Sequence, residues 1–306
     1  MESENTTLSM REKYRIMIEG DYLRNKDYDA VKEIAEEILA TEDIDGQASD
    51  FHNFAVSLAD LNLNSLACKM LERGLSVYKS NVDLLANYLI YGFGSANTSD
   101  RCEEYYEALQ SIDDKHWTWR AYSFSLDYLQ SKVDRSTPQE DVKEFEERMN
   151  TILESYHKKF PDAELPYLAE ADMYRGKNPQ AERAALEKAV ENLNSSPRCS
   201  IRYAEILINI YNDVANYEKA LKYLDEALFS VSRELDIGYV HFLRGMCKLR
   251  LLNGEYTSSE KVNEIYKCFR IASLDALNLT PNSKKVMLKQ ISILEMLSEI
   301  EYLGPR

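Results

Sequence analysis

The chain has 306 residues, with 52 acidic against 37 basic side chains and a formal charge of −15. That balance excludes a nucleic-acid backbone as the main partner, because such binders neutralise phosphates with basic patches. A basic partner is steered favourably, and the acidity also serves solubility. With only 10 Gly and 7 Pro, and few alternating β-branched runs, the composition favours helices throughout. Cys68, Cys102, Cys199, Cys247 and Cys268 are scattered and never form CxxC. They read as small buried apolar residues of a protein kept in a reducing compartment. The start, MESENTTLSMREK, has no apolar signal core, and no apolar run approaches the roughly 18 residues of a membrane span. The expected location is the cytoplasm, with no membrane partner.

Residues 1–9 read as a disordered tail. Helical hairpins are then expected at about 10–41, 48–79, 82–110, 116–160, 163–193, 200–232 and 237–279, from apolar residues at three- and four-residue steps. In the first, Ile16, Gly20 and Leu23 mark one helix, and Val31, Ile34, Ala35, Ile38 and Leu39 line the other. The second carries Phe51, Phe54, Ala55 and Leu58, then Ala67, Leu71 and Leu75. The third sets Leu85, Tyr88, Leu89 and Gly92 against Cys102, Tyr106 and Leu109. Its turn, GFGSANTSD, offers Ser99 or Asp100 as an N-cap. In the fourth, Trp119, Tyr122, Leu126 and Leu129 form one stripe, and a long amphipathic helix runs from about Asp141 to Lys159. In the fifth, Tyr167, Ala171 and Tyr174 face Ala181, Ala185 and Ala189. The sixth places Leu207 and Tyr211 on its first helix, a turn at Asn216 and Tyr217, and Ala220, Leu224, Ala227 and Leu228 on its second. The seventh holds Phe242, Gly245 and Leu249, then Ile265, Phe269 and Ala272. Residues 282–306 form a capping helix with Val286, Ile291, Leu294 and Leu297 on its inner side, since the last unit of a stack otherwise leaves an apolar face wet.

Two units carry a recognisable motif: Ala204-x₂-Leu207-Ile208-x₂-Tyr211 with Ala220-x₃-Leu224, and Phe51-x₂-Phe54-Ala55-x₂-Leu58 with Ala67-x₃-Leu71. The pattern resembles the tetratricopeptide repeat (TPR), about 34 residues of W-x₂-L-G-x₂-Y followed by A-x₃-F. The resemblance covers about residues 10–280 and implies an all-α solenoid of about seven hairpins ending in a capping helix. It also implies a concave surface lined by the first helices. Some family members grip a C-terminal carboxylate with a Lys/Asn/Lys/Arg clamp. The corresponding positions here include His52, Val56, Glu205 and Asn209, which make no such clamp.

Motifs for catalysis are missing. His52, His116, His157 and His241 lie far apart, none in HExxH. Gly92-Phe93-Gly94-Ser95 lacks the GK[ST] ending of a phosphate loop, and Asp43-Ile44-Asp45-Gly46 lacks the spacing of a calcium loop. No GxSxG occurs. No catalytic residue, metal ligand or cofactor site is assigned. The candidate sites are surfaces. On the helix at 116–131, Trp117, Arg120, Phe124 and Tyr128 fall on a face other than the Trp119 stripe, as either a contact with the long helix or a peptide groove. Asn53, Asn87, Asn209 and Asn212 are candidates to bond an extended peptide backbone. Arg244 and Lys248 are candidates for an acidic ligand group or for nearby glutamates. The expected function is non-enzymatic: a scaffold, adaptor or regulatory subunit binding a protein or peptide segment. The alternatives are a ligand- or peptide-sensing regulator and an enzyme subunit of the prenyltransferase-α type, for which Asn87-Tyr88 and Trp119-Arg120 are the slender likeness.

Overall fold

A computed structural model describes residues 8–42, 45–93, 99–133, 137–229, 236–254, 259–275 and 279–302. The N-terminal tail to residue 7, the side chains of Ser99 and Asp100 on which the proposed caps rest, the side chain of Leu297 and part of each long linker lie outside the described residues. The described residues form α-helices and one 3₁₀ turn, with no strand. They divide into two compact units, Met1–Lys159 and Phe160–Arg306.

The first unit holds α1 (Met10–Glu19), α2 (Tyr28–Ala40), α3 (Ala48–Asp60), α4 (Asn64–Val77), α5 (Val82–Phe93), α6 (Ser99–Gln110), the 3₁₀ turn Asp114–His116, α7 (Trp119–Ser131) and α8 (Gln139–Lys159). Helices α3 and α4 pack as a pair, α5 packs on α4, α6 and α7, and α8 packs on α7. The second unit holds α9 (Glu164–Tyr174), α10 (Pro179–Asn192), α11 (Pro197–Asn209), α12 (Val214–Phe229), α13 (Ile237–Leu252), α14 (Ser259–Asp275) and α15 (Pro281–Tyr302). There each helix packs on the next, and α9, α11 and α13 also touch in order.

Local chemistry sets the helix starts. Ser9 and Glu12 form a reciprocal capping box at α1, satisfying donors that no helical carbonyl reaches. Asp27, Asn178 and Asp236 accept the main-chain N–H of the third residue of α2, α10 and α13. Pro179 and Pro197 stand in the first turns of α10 and α11, where the missing N–H costs nothing. The chain reverses after α9 through Gly176 at φ 70°, a backbone conformation that suits glycine.

Small residues let the helices close up. A methyl group on Gly74 of α4 would stand 2.9 Å from Phe51 Cβ, and one on Gly245 of α13 2.7 Å from Phe269. Each glycine costs its helix about 1 kcal/mol relative to alanine, which the contact with a fully buried aromatic ring offsets. Phe51, Phe54, Ala55, Leu58, Ala67 and Leu71 are buried, as are Leu207, Ala220, Leu224 and Ala227. The hairpins also contact one another at the repeat interval. Glu164 of α9 accepts the N–H of Arg198 at the head of α11, 34 residues on. Asp83 of α5 likewise accepts the hydroxyl of Thr118, 35 residues on, just before α7.

Four expectations are corrected. The buried stripe of α1 is Met10, Lys13 and Met17. Ile16 is exposed, and the helix stops before Gly20 and Leu23. Lys13 is core because its methylenes pack inward while its ammonium reaches Glu37. On α15, Met287 replaces Val286, which is 42% exposed, beside Ile291 and Leu294. Tyr211 lies in the turn after α11, and Asn216 and Tyr217 lie inside α12. Asp213 sets that start by accepting the Asn216 N–H. Finally, Trp119 is 38% exposed whereas Trp117 is 5% exposed. Helix α7 begins at Trp119, so Trp117 falls outside its period.

Candidate partner-binding surface

The surface left open on the first helices of unit 1 is built from α3, α5 and α7. Helix α5 (VDLLANYLIYGF) is apolar nearly all round, so the strip not covered by α4, α6 and α7 is apolar too. Ile90 is 37% and Phe93 46% exposed there. Tyr91, between them, is half-buried. Burial, then the Asp60 carboxylate, raises its hydroxyl pKa, while Arg120 opposes the rise. Helix α7 adds Trp119, Arg120 and Phe124. The Arg120 guanidinium lies 4.6 Å from the centre of the Trp119 ring, and Trp119 meets Phe124 edge-on at 6.3 Å. Both are favourable geometries for aromatic groups.

Of the residues proposed from the sequence, Arg120 and Phe124 therefore share this surface, both half-buried. Trp117 and Tyr128 do not. The Trp117 ring nitrogen donates to the Ile112 carbonyl at 3.1 Å, and the Tyr128 hydroxyl donates to Glu103 at 2.7 Å. Both side chains are spent in the core. Asn87 is also buried, with its amide nitrogen on the Asp83 carbonyl one turn earlier. The corrected reason is the same for all three: inward-facing polar groups found partners inside the fold. Asn53 is exposed on α3, its amide oxygen 3.3 Å from a ring nitrogen of His52.

In unit 2, Asn209 is the exposed last residue of α11, and Asn212 is exposed in the turn that follows. Arg244 and Lys248 of α13 are engaged: Arg244 pairs with Asp225 of α12 at 2.6 Å and Lys248 with Glu264 of α14 at 2.5 Å. On α11, Arg202 bridges Asp172 at 2.7 Å and Glu182 at 2.9 Å. Two grooves open elsewhere. One of about 430 Å³ lies between α6 and α8, and one of about 420 Å³ is lined by α12, α13 and α14. Of their cations, Arg148 in the first is held by Glu144 and Lys248 in the second by Glu264.

Sequence reasoning placed Trp119 in the inward stripe and assigned Ile90, Tyr91 and Phe93 no part in a binding surface. The signal for Ile90 and Phe93 was available in the all-round apolarity of α5. The signal for Trp119 was not, because it depends on where α7 begins. Among the described residues no group of three or more His, Cys, Asp or Glu side chains is placed to hold a metal ion. No described helix is long and apolar enough to cross a membrane. All five cysteines are buried.

No family profile and no curated protein sequence matches the chain. Among solved structures it is similar to a tetratricopeptide repeat protein from Parabacteroides merdae, at a TM-score of 0.51 and 11% identity, over 94% of this chain and 97% of the other. The fold is that of a TPR-like helical-repeat protein, all α, with neighbouring helices packed in pairs.

Proposed function

We propose that this chain is a non-enzymatic scaffold, adaptor or regulatory subunit that binds a segment of another protein on the face of its first helices. The observation that carries the reading is the open apolar strip of α5 beside Trp119, Arg120 and Phe124 of α7. Large apolar side chains grouped with an arginine are the composition of a contact surface. TPR-like folds in general serve protein association, which supports the class of function and leaves the partner to the surface chemistry. Asn53, exposed midway along α3 in unit 1, and Asn209 and Asn212, exposed at and just past the end of α11 in unit 2, each supply an amide for a peptide backbone within their own unit. Helix α15 acts as the end cap. The five buried cysteines support a reducing compartment such as the cytoplasm.

Photo-crosslinking tests the proposal. A photoreactive phenylalanine at Ile90 or Trp119 should trap a protein partner in the cells that make this chain. The same residue at Val77, exposed on the second helix α4, should not. Crosslinks from Val77 alone, or turnover of a small substrate by the purified protein with no partner trapped, would overturn it.

A further inference from the structure

Arg120 is the odd arginine of the molecule. Four other arginines are half-buried. Arg73 donates to the Thr41 carbonyl. Arg183 lies 4.0 Å from Glu187, Arg202 holds Asp172 and Glu182, and Arg244 holds Asp225. Arg120 has no carboxylate or carbonyl partner among the described residues; its companions are the Trp119 ring, beneath its guanidinium, and the nearby Tyr91 hydroxyl. An aromatic face covers one side of a guanidinium and leaves its in-plane N–H donors unused. The position is also unfavourable by itself. Arg120 is the second residue of α7, at the positive end of the helix dipole, where a cation is disfavoured. In a chain with a charge of −15, a half-buried guanidinium left without an acid is a site awaiting one.

The surroundings narrow the ligand. Stacking on Trp119 fixes the plane of the guanidinium, which lowers the entropy lost when a carboxylate takes two of its donors. Phe124 at the ring edge, and the exposed Ile90 and Phe93 on α5, call for apolar side chains next to that carboxylate. Asp60, exposed at the end of α3, opposes a second acid close by. The long-range field of the chain steers basic partners, but this contact asks for a single acid.

We infer that the α5–α7 face receives a segment of another protein that sets one aspartate or glutamate carboxylate on Arg120 and an apolar side chain against Trp119. This rests on the first-helix reading above. The test uses the full chain and three sets of peptides of about 12 residues, each with a Leu/Phe pair beside one central Asp or Glu, the matching Asn or Gln, or Lys. Binding is read by polarisation of labelled peptide. Acidic peptides should bind at least about tenfold more tightly than their amide counterparts. Arg120→Gln should erase that difference, and Arg120→Glu should shift preference to the Lys set, with melting curves unchanged in both. Equal binding of acidic and amide peptides overturns the inference and leaves the first-helix reading standing. Binding of none of the sets, with Ile90 and Trp119 crosslinks also empty, overturns both. Wild type dimeric and Arg120→Gln monomeric in sedimentation would mean that a second copy supplies the acid, which also overturns it.

Discussion

In unit 1, Tyr88 of α5 donates to Glu72 of α4 at 2.8 Å, and Arg101 of α6 reaches the same carboxylate oxygen at 2.7 Å. In unit 2, Tyr203 of α11 donates to Glu187 of α10 at 2.6 Å, and Lys219 of α12 reaches the same oxygen at 2.5 Å. The tyrosine follows its glutamate by 16 residues in both. Each carboxylate thus ties three consecutive helices at one atom. What differs is the cation. Arg101 also donates to the Tyr105 hydroxyl at 3.0 Å and sits over that ring, whereas Lys219 sits over the Tyr203 ring itself. The hub is the carboxylate–phenol bond. The cation at the rim changes type without changing the joint, as expected where an ion pair is solvated on one side.

The largest effects should come from the close helix approaches at glycine, one in each unit. Gly74→Val in unit 1 and Gly245→Val in unit 2 should each cost about 3 kcal/mol, read as a lowered denaturant midpoint. A cost of under about 1 kcal/mol for either would mean that its aromatic neighbour yields and the packing is not set there. Next come the hubs. Glu72→Ala and Glu187→Ala should each cost about 2 kcal/mol, since a buried hydroxyl loses its acceptor. If only one of them does so, the likeness between the joints is geometric and not energetic.

The acid limb offers a finer contrast. Lys219, then Tyr203, hold the Glu187 carboxyl below its ordinary 4.5, against burial. A carboxyl so lowered contributes stability above that value, which is lost as the pH falls below it toward the folded-state value. Glu187→Gln should therefore flatten the fall of Tm below pH 4.5, in a melting series across pH. An unchanged slope would place the acid sensitivity elsewhere, with Glu103, also lowered overall although burial opposes it, as the next variant. The smallest effects belong to the cations: Arg101→Gln and Lys219→Gln should cost about 0.5 kcal/mol each and lose that cost in high salt. A cost several times larger for Lys219→Gln would give the cation a share in the hub.

Much of this was legible before the structure. The second and third hairpins show their small and large apolar residues at helical steps, and those positions are buried; in the sixth, Leu207, Ala220, Leu224 and Ala227 are buried while Tyr211 and Leu228 are half-buried. The ends were harder. The inner stripe of α1 contains a lysine, and among the described helices α15 packs chiefly against α14, so a shift of one residue costs little in the pattern. Of the candidate surface, Arg120 and Phe124 were legible. Trp119 was not, because one residue of uncertainty at a helix start exchanges inside for outside. Asn87 failed for another reason: a polar residue bonded to its own helix looks in sequence like one kept for a ligand. The 16-residue Glu–Tyr interval was present in the sequence, but it has meaning only once α4 and α10 are known to lie beside α5 and α11.

The buried thiols give each unit its own chemical clock. Cys68 and Cys102 belong to the first, and Cys199, Cys247 and Cys268 to the second. Burial pushes the Cys102 thiol up to about 11 and those of Cys199 and Cys247 up to about 12, so at these three positions the folded protein presents almost no thiolate to an alkylating reagent at neutral pH. Modification must wait for a local or global opening. Pulse alkylation followed by peptide mass mapping would time the opening of residues 1–159 and 160–306 separately, in one sample and without an added label. It would also tell whether a partner seated on α5 and α7 slows the first clock alone.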